Sequence, residues 1–388
     1  MMKGIPAQGP AQGAKLTRRF AVAGTLALLA GCTVIPGGGP APTVTPTEAA
    51  PQANALPTDE GRHRVALLVP MSGPNASVGQ AIANAATMAL LDTNATNLRI
   101  TTYDTATGAA NAAGKAVMDG NRLILGPLLS DDVIAVAGVA RPAKVPMITY
   151  SNDSKVADRD VFVLGQVPGQ SVARVLQYAH ANGVNTIGAL IPSGDYGQRV
   201  AAALNSAARA NGVAVADVES YERTNTSVGS AVRRVKAKGK VDALLIADGA
   251  RIALMAAPFA AGTRLLGTEL WSGEAPIARS AAMKGALFAA VSDRRFGQFE
   301  QSYRSRFGTG PARLATLGYD SVLLTLNIAR GWKPGTLFPT GKLYDPEGFI
   351  GLDGVFRFNQ FGVAERAMEV REVASGTFVT VSPAPAKF

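Results

Sequence analysis

The strongest constraint on this chain is an alternation that begins at His63 and runs through twice. Residues 64–70, Arg-Val-Ala-Leu-Leu-Val-Pro, are almost continuously apolar, as a parallel strand covered on both faces must be. Residues 78–92 then take a helical period, with Val78, Ile82, Ala85, Ala86 and Ala89 on one face. Strand patterns at 98–103, 123–125 and 146–150 alternate with helical patterns at 111–119 and 131–140, which makes one doubly wound unit. After a connector near 163–170 the pattern restarts. Helices are expected at 171–181, 198–210, 228–238 and 252–260, and strands at 186–191, 213–218, 243–247 and 264–266. Asn182-Gly183 and Asn211-Gly212 supply helix stops. Helical patterns at 296–307 and 314–329 are expected to return to the first unit. The pieces 355–358, 368–373 and 378–381 read as short strands. The expected fold is therefore α/β, with two Rossmann-like lobes: lobe 1 from 63–165 and 276–348, lobe 2 from 166–275 and 349–388.

The first 62 residues belong to neither lobe. Lys3, Lys15, Arg18 and Arg19 precede an apolar run from Phe20 to Ala30, which ends in Leu29-Ala30-Gly31-Cys32. A positive start, an eleven-residue apolar stretch and small residues at the cut make an export signal at 1–31, and the run is too short to span a bilayer. It resembles the bacterial lipoprotein signal, in which Cys32 becomes the lipid-bearing first residue. Residues 32–62, rich in Pro, Gly, Ala and Thr, read as an extended tether.

Composition closes off several chemistries. Two His and one Cys in 388 residues are too few for a multi-ligand zinc site, a disulfide framework or a Cys–His nucleophile pair. No metal and no cofactor is expected. His63 at the edge of the tether and His180 near a helix end read as incidental, and no G-x-S-x-G, S-x-x-K, P-loop or H-E-x-x-H motif is present, so the chain is not expected to be an enzyme. An Asp195–Asp248 pair is the remaining candidate for acid–base work. The formal charge of +10 drops once the signal, with four cations and no acids, is removed. The basic run Arg233-Arg234-Val235-Lys236-Ala237-Lys238 reads as a solvated helix face, and nucleic acid is not an expected partner.

In open α/β sheets ligands bind outside the carboxyl ends of the strands. Here those ends carry Ser72, Ser130, Ser151-Asn152-Asp153, Tyr196, Asp248 and Glu269, small or polar residues that would line a cleft between the lobes. Each alone also suits a turn or a cap.

Four stretches carry a wider resemblance: RVALLVPMSGPNASVGQAIANAATMAL from Arg64, ILGPLLSDDVIAVAGVARPAKVPMITYSND, IGALIPSGDYGQRVAAALNSAARANGVAV and LGTELWSG, followed by LGYDSVLLTL from Leu317. In order, they resemble type I periplasmic binding proteins of the branched-chain amino acid receptor class. With the export signal, LVPMSGPNASVGQAIANAA and LGPLLSDD look most like the penicillin-binding protein activator lipoproteins. The resemblance implies two lobes joined by three crossovers that close on a ligand. It places Ser130 and the Ser151–Asp153 turn where carboxylate binders sit, Tyr196 as an aromatic cleft residue and Glu269 as the partner of an ammonium. The sequence departs from that pattern at Asp131 and Asp132, where each charge about 5 Å from a ligand carboxylate would repel it by roughly 1 kcal/mol, and at Asp248, which replaces an aromatic or Gly. The leading expectation is a lipid-anchored periplasmic regulator of a cell-wall synthase; the alternative is a receptor delivering an amino acid or related amine-bearing compound to an ABC-type importer. Thr33, where an Asp would retain such a lipoprotein at the inner membrane in some bacteria, favours the outer membrane.

Overall fold

The computed structural model describes residues 61–224 and 228–388, all within one compact unit, Thr58–Phe388. The export signal, Cys32 and nearly all of the tether lie outside the described residues. The first lobe opens with β1 (His63–Val69), α1 (Ala76–Asp92), β2 (Leu98–Asp104), α2 (Ala109–Met118), β3 (Leu123–Leu125), α3 (Ser130–Ala140), β4 (Met147–Thr149) and β5 (Val161–Val163). Its strands form a parallel sheet in the order β2-β1-β3-β4-β5. The unbroken apolar run of β1 is explained by its two covered faces. Val65, Leu67 and Val69 enter one core cluster with α1, while Ala66 and Leu68 point into another with α2 and α3.

The chain then crosses to the second lobe: α4 (Pro168–Ala181), β6 (Thr186–Pro192), α5 (Asp195–Asn211), β7 (Ala214–Tyr221), α6 (Val228–Ala237), β8 (Ala243–Ile246), α7 (Ala250–Ala256), β9 (Arg264–Gly267), α8 (Ala275–Arg279) and β10 (Leu287–Val291). The order β7-β6-β8-β9-β10 repeats that of the first sheet. Gly212, in the left-handed region at φ 67°, ends α5 as the Asn-Gly stop requires. A second crossover returns to the first lobe, where α9 (Phe296–Phe307) and α10 (Ala315–Ala329) lie against α1. Gly318 lets α10 approach closely: a Cβ there would sit 2.3 Å from the Ile82 carbonyl oxygen. β11 (Phe349–Gly351), β12 (Gly354–Phe358) and β13 (Ala364–Arg366) form a small antiparallel sheet. After a third crossover, β14 (Met368–Val373) pairs antiparallel with β10, and β15 (Phe378–Ser382), antiparallel to β14, completes the second sheet.

The two expected lobe boundaries shift. The segment 276–291, expected in lobe 1, supplies β10, paired with β9 and packed with the second-lobe core through Phe288 and Ala290. The segment 349–366, expected in lobe 2, packs against the first lobe, since Phe349, Phe356, Phe358 and Ala364 belong to the same cluster as β1.

A buried polar network ties the three crossovers together. Asp353, fully buried, accepts from Arg313 Nη1 at 2.7 Å, Thr316 Oγ1 at 3.0 Å and Gln166 Nε2 at 3.1 Å, with Arg366 3.9 Å away. Arg366 donates to the Leu164 carbonyl on the first crossover at 2.7 Å. Asp293, on the second, pairs with Arg313 at 3.5 Å and with Arg371 of β14, just beyond the third. The Arg371 fork is filled further by Glu369 at 2.6 Å and the Val291 carbonyl at 2.8 Å. Asp320 of α10 sits against this network; burial and the charge of Asp353 push its carboxyl up to about 7.

Candidate functional site

The carboxyl ends of both parallel sheets lead into the loops that carry the expected site residues. On the first lobe, β1 delivers Ser72, whose hydroxyl donates to Asp104 at the end of β2 (2.7 Å). The backbone amides of Met71 and Ala106 also donate to Asp104, at 2.8 and 2.9 Å, and with the Ser72 hydroxyl they hold its carboxyl below the usual range. Ser72 and Asp104 therefore form a rim pair of their own. Ser130 is the first residue of α3, half-buried, with Asp131 and Asp132 behind it in the first turn. Burial and the neighbouring Asp131 raise the Asp132 carboxyl.

The turn after β4 reaches across to the second lobe. Ser151 is buried, and its Oγ accepts from the Asp153 amide at 3.1 Å. One Asp153 oxygen caps the following short turn through the Lys155 amide at 3.0 Å; the other accepts from Arg199 Nη1 of α5 at 2.9 Å. These two side chains are only 16% and 17% exposed, and Nε of Arg199 is buried without a hydrogen-bond partner. This ion pair joins the lobes through residues at the cleft ends of their strands.

On the second lobe Tyr196, Asp248 and Glu269 converge. The Tyr196 hydroxyl lies 3.1 Å from Thr268 Oγ1 and 3.3 Å from Glu269 Oε1, and the Arg223 guanidinium lies 5.7 Å from the Tyr196 ring centroid. Asp248 accepts from Tyr221 Oη at 2.7 Å, Arg223 Nε at 2.9 Å and the Gly249 amide at 2.8 Å. These bonds fix the departure from the family pattern as a structural carboxylate. Trp271 Nε1 donates to the Asp248 carbonyl at 2.8 Å. Glu269 accepts from the Ser171 hydroxyl of α4 as well as from Tyr196. Burial drives the Glu269 carboxyl above its usual range, and the two hydroxyls pull the other way. Among the described residues it has no Lys or Arg salt-bridge partner. A carboxylate has about four acceptor positions, so two hydroxyls leave room for an ammonium.

The structure thus brings Tyr196, Asp248 and Glu269 into one cluster and Ser151 and Asp153 into a bridge. Ser72 makes neither contact, and Ser130 and Asn152 have no side-chain bond to either group. Asp195 and Asp248 form no pair: Asp248 is engaged by Tyr221 and Arg223. Arg199, Arg223 and Ser171 were not foreseen. Arg199 was missed because the helix expected at 198–210 begins after Tyr196; the observed α5 starts at Asp195, which puts Arg199 three residues after Tyr196 on one helix face.

This arrangement, two like-ordered lobes with three crossovers and an ion pair between their strand-end loops, is that of a bilobed α/β protein. Residues 63–342 match the periplasmic binding protein family, and the chain belongs to it. Solved structures agree on the fold. A putative branched-chain amino acid ABC transporter protein of Rhodospirillum rubrum is 18% identical with a TM-score of 0.72, covering 82% of this chain and 100% of its own. The leucine-binding protein LivK of Thermotoga maritima is 20% identical with a TM-score of 0.63, covering 83% and 98%. LivJ of Streptococcus pneumoniae, solved with isoleucine, is 18% identical with a TM-score of 0.63, covering 83% and 100%. Among curated proteins, the uncharacterized protein RP748 of Rickettsia prowazekii is 27% identical over 173 residues, 44% of this chain; the match spans less than half, 46%, of that relative's length.

Proposed function

We propose that this protein is a non-enzymatic solute receptor whose interlobe cleft takes a small amine-bearing ligand and presents it to an ABC-type importer. The observation that carries this reading is Glu269, a half-buried carboxylate whose side-chain partners are the Ser171 and Tyr196 hydroxyls and which desolvation holds above its normal pKa. A carboxylate largely withdrawn from water without a cation is costly, and a ligand ammonium is the group that relieves it. Arg199, with an unused buried Nε, is a donor for a carboxylate or carbonyl on the same ligand, offsetting the repulsion of Asp131 and Asp132. The solved relatives include receptors named for leucine and branched-chain amino acids, which supports the same ligand class. A Cys32 lipid would hold the body outside the cytoplasm, at the outer membrane in the reading favoured by Thr33.

A thermal-shift panel of amino acids and simple amines tests this. A ligand should raise Tm by several degrees when present far above its Kd, and Glu269→Gln should remove the gain. An unchanged gain in Glu269→Gln rules out the ammonium role.

A second reading, a regulator of a cell-wall synthase that keeps the fold as a scaffold, is favoured by one feature: the Asp153–Arg199 ion pair joins the lobes through protein groups. It predicts no response to any amine, together with binding to a purified synthase that is lost on changing an exposed lobe surface and kept on changing Glu269.

A further inference from the structure

At the far end of the first sheet from the cleft, a groove of about 310 Å³ opens beside the start of β1. Arg62, Arg64 and Arg122 line it, and no lining residue is acidic. Its floor is Trp332, stacked on His63 at 4.0 Å between ring centroids and buried. Burial lowers the His63 pKa, so the cationic character of the groove comes from arginines and persists across physiological pH. Two exposed apolar side chains lie close to its lining in sequence. Met118, two residues before the lining Gly120, is 79% exposed, and Leu337, two residues after the lining Gly335, is 53% exposed. Three acids lie close to the lining in sequence: Asp59 and Glu60, which precede Arg62, and Asp119, which is engaged, since Tyr103 Oη donates to its carboxylate at 2.6 Å and Arg64 to its carbonyl at 3.2 Å.

We infer that this face is a peripheral membrane-docking surface, with Arg64 and Arg122 on lipid phosphates and Met118 and Leu337 inserted at the headgroup boundary of an anionic bilayer. Cations combined with protruding apolar side chains form the pattern that favours such a surface. Position agrees. The groove lies where the tether, expected to run from a lipid-bearing Cys32, meets the body, so an anchored chain keeps it within reach of a bilayer. Seven residues of β1 separate His63 from Val69, about 20 Å of strand. Docking by this face therefore turns the cleft away from the anchoring membrane. The inference is independent of what the cleft binds.

The test is co-sedimentation of residues 58–388, which contain every core cluster of the fold, with vesicles of phosphatidylcholine alone or with phosphatidylglycerol. Binding is expected to the anionic vesicles and to weaken with salt. Each arginine near such a surface is worth about fivefold in partitioning, so Arg64→Gln with Arg122→Gln should weaken it roughly thirtyfold. Met118→Ser, at an exposed site that leaves folding intact, should weaken it independently of salt. Equal binding to neutral vesicles, no binding to either, or indifference to both sets of substitutions overturns the inference. So does competition by millimolar inorganic phosphate at constant ionic strength, which would make the groove a small-anion site. Retained thermal stability of each variant separates a lost surface from a lost fold.

Discussion

Because Asp153 belongs to the first lobe and Arg199 to the second, opening the cleft must break their bond. The perturbation is Arg199→Gln, alone and combined with Asp153→Asn. At 2.9 Å, with both side chains about one-sixth exposed, the gross attraction at an effective dielectric near 20 is about 6 kcal/mol. Desolvation and residual screening reduce it to the range of a charge-assisted hydrogen bond, about 1.5–3 kcal/mol. Loss of about 2 kcal/mol shifts the closed-to-open ratio by roughly thirtyfold. The lone natural thiol, Cys32, lies outside residues 58–388, so Ile134→Cys on α3 and Lys238→Cys after α6 label the two lobes specifically, both at exposed sites. Single-molecule energy transfer without ligand should show a compact population in the parent and a broader, longer-distance one in Arg199→Gln. The double substitution should be no more open than the single, giving a coupling energy of at least about 1 kcal/mol. Identical distance distributions in all variants, or additive effects, refute the bridge.

Asp353→Ala removes the acceptor that Arg313, Thr316 and Gln166 share and strands a buried guanidinium, so urea unfolding should show a loss of about 3–5 kcal/mol; a loss under 1 kcal/mol contradicts the hinge network. Asp320, held at about 7 in the folded chain and near 3.9 unfolded, keeps its proton on the folded side between those values. Its contribution therefore falls as pH rises from about 4 to 7 and is fully lost above 7. Asp320→Asn should gain in Tm relative to the parent on going from pH 4.5 to pH 8, and a constant difference contradicts the assignment. Gly165→Ala would place a Cβ 2.1 Å from the Ser151 carbonyl oxygen, beside the first crossover, and should cost about 1–3 kcal/mol while weakening ligand binding.

The alternation of β1, α1 and β2 was readable because each element is long enough to display its period and lies against two covered layers. β10 escaped because Leu-Phe-Ala-Ala-Val is a short apolar run with no period, equally compatible with a buried helix turn. That omission moved the lobe boundary. β11 and β13 have three residues each, and their place in the first lobe depends on Phe349, Phe356 and Phe358 finding Phe162 and β1, a contact between distant segments that no local pattern records. At the site, Tyr196, Asp248 and Glu269 were legible as strand-end polar residues. Their partners were not: Ser171 lies 98 residues before Glu269, and the Asp153–Arg199 bridge exists only once the lobes face each other.

A crystal structure of residues 58–388 with the strongest amine from the thermal panel tests the central claim most directly. The account predicts density between the lobes with the ligand nitrogen within about 3.2 Å of Glu269. A ligand bound outside the cleft, or within it with its amine away from Glu269, would contradict the account.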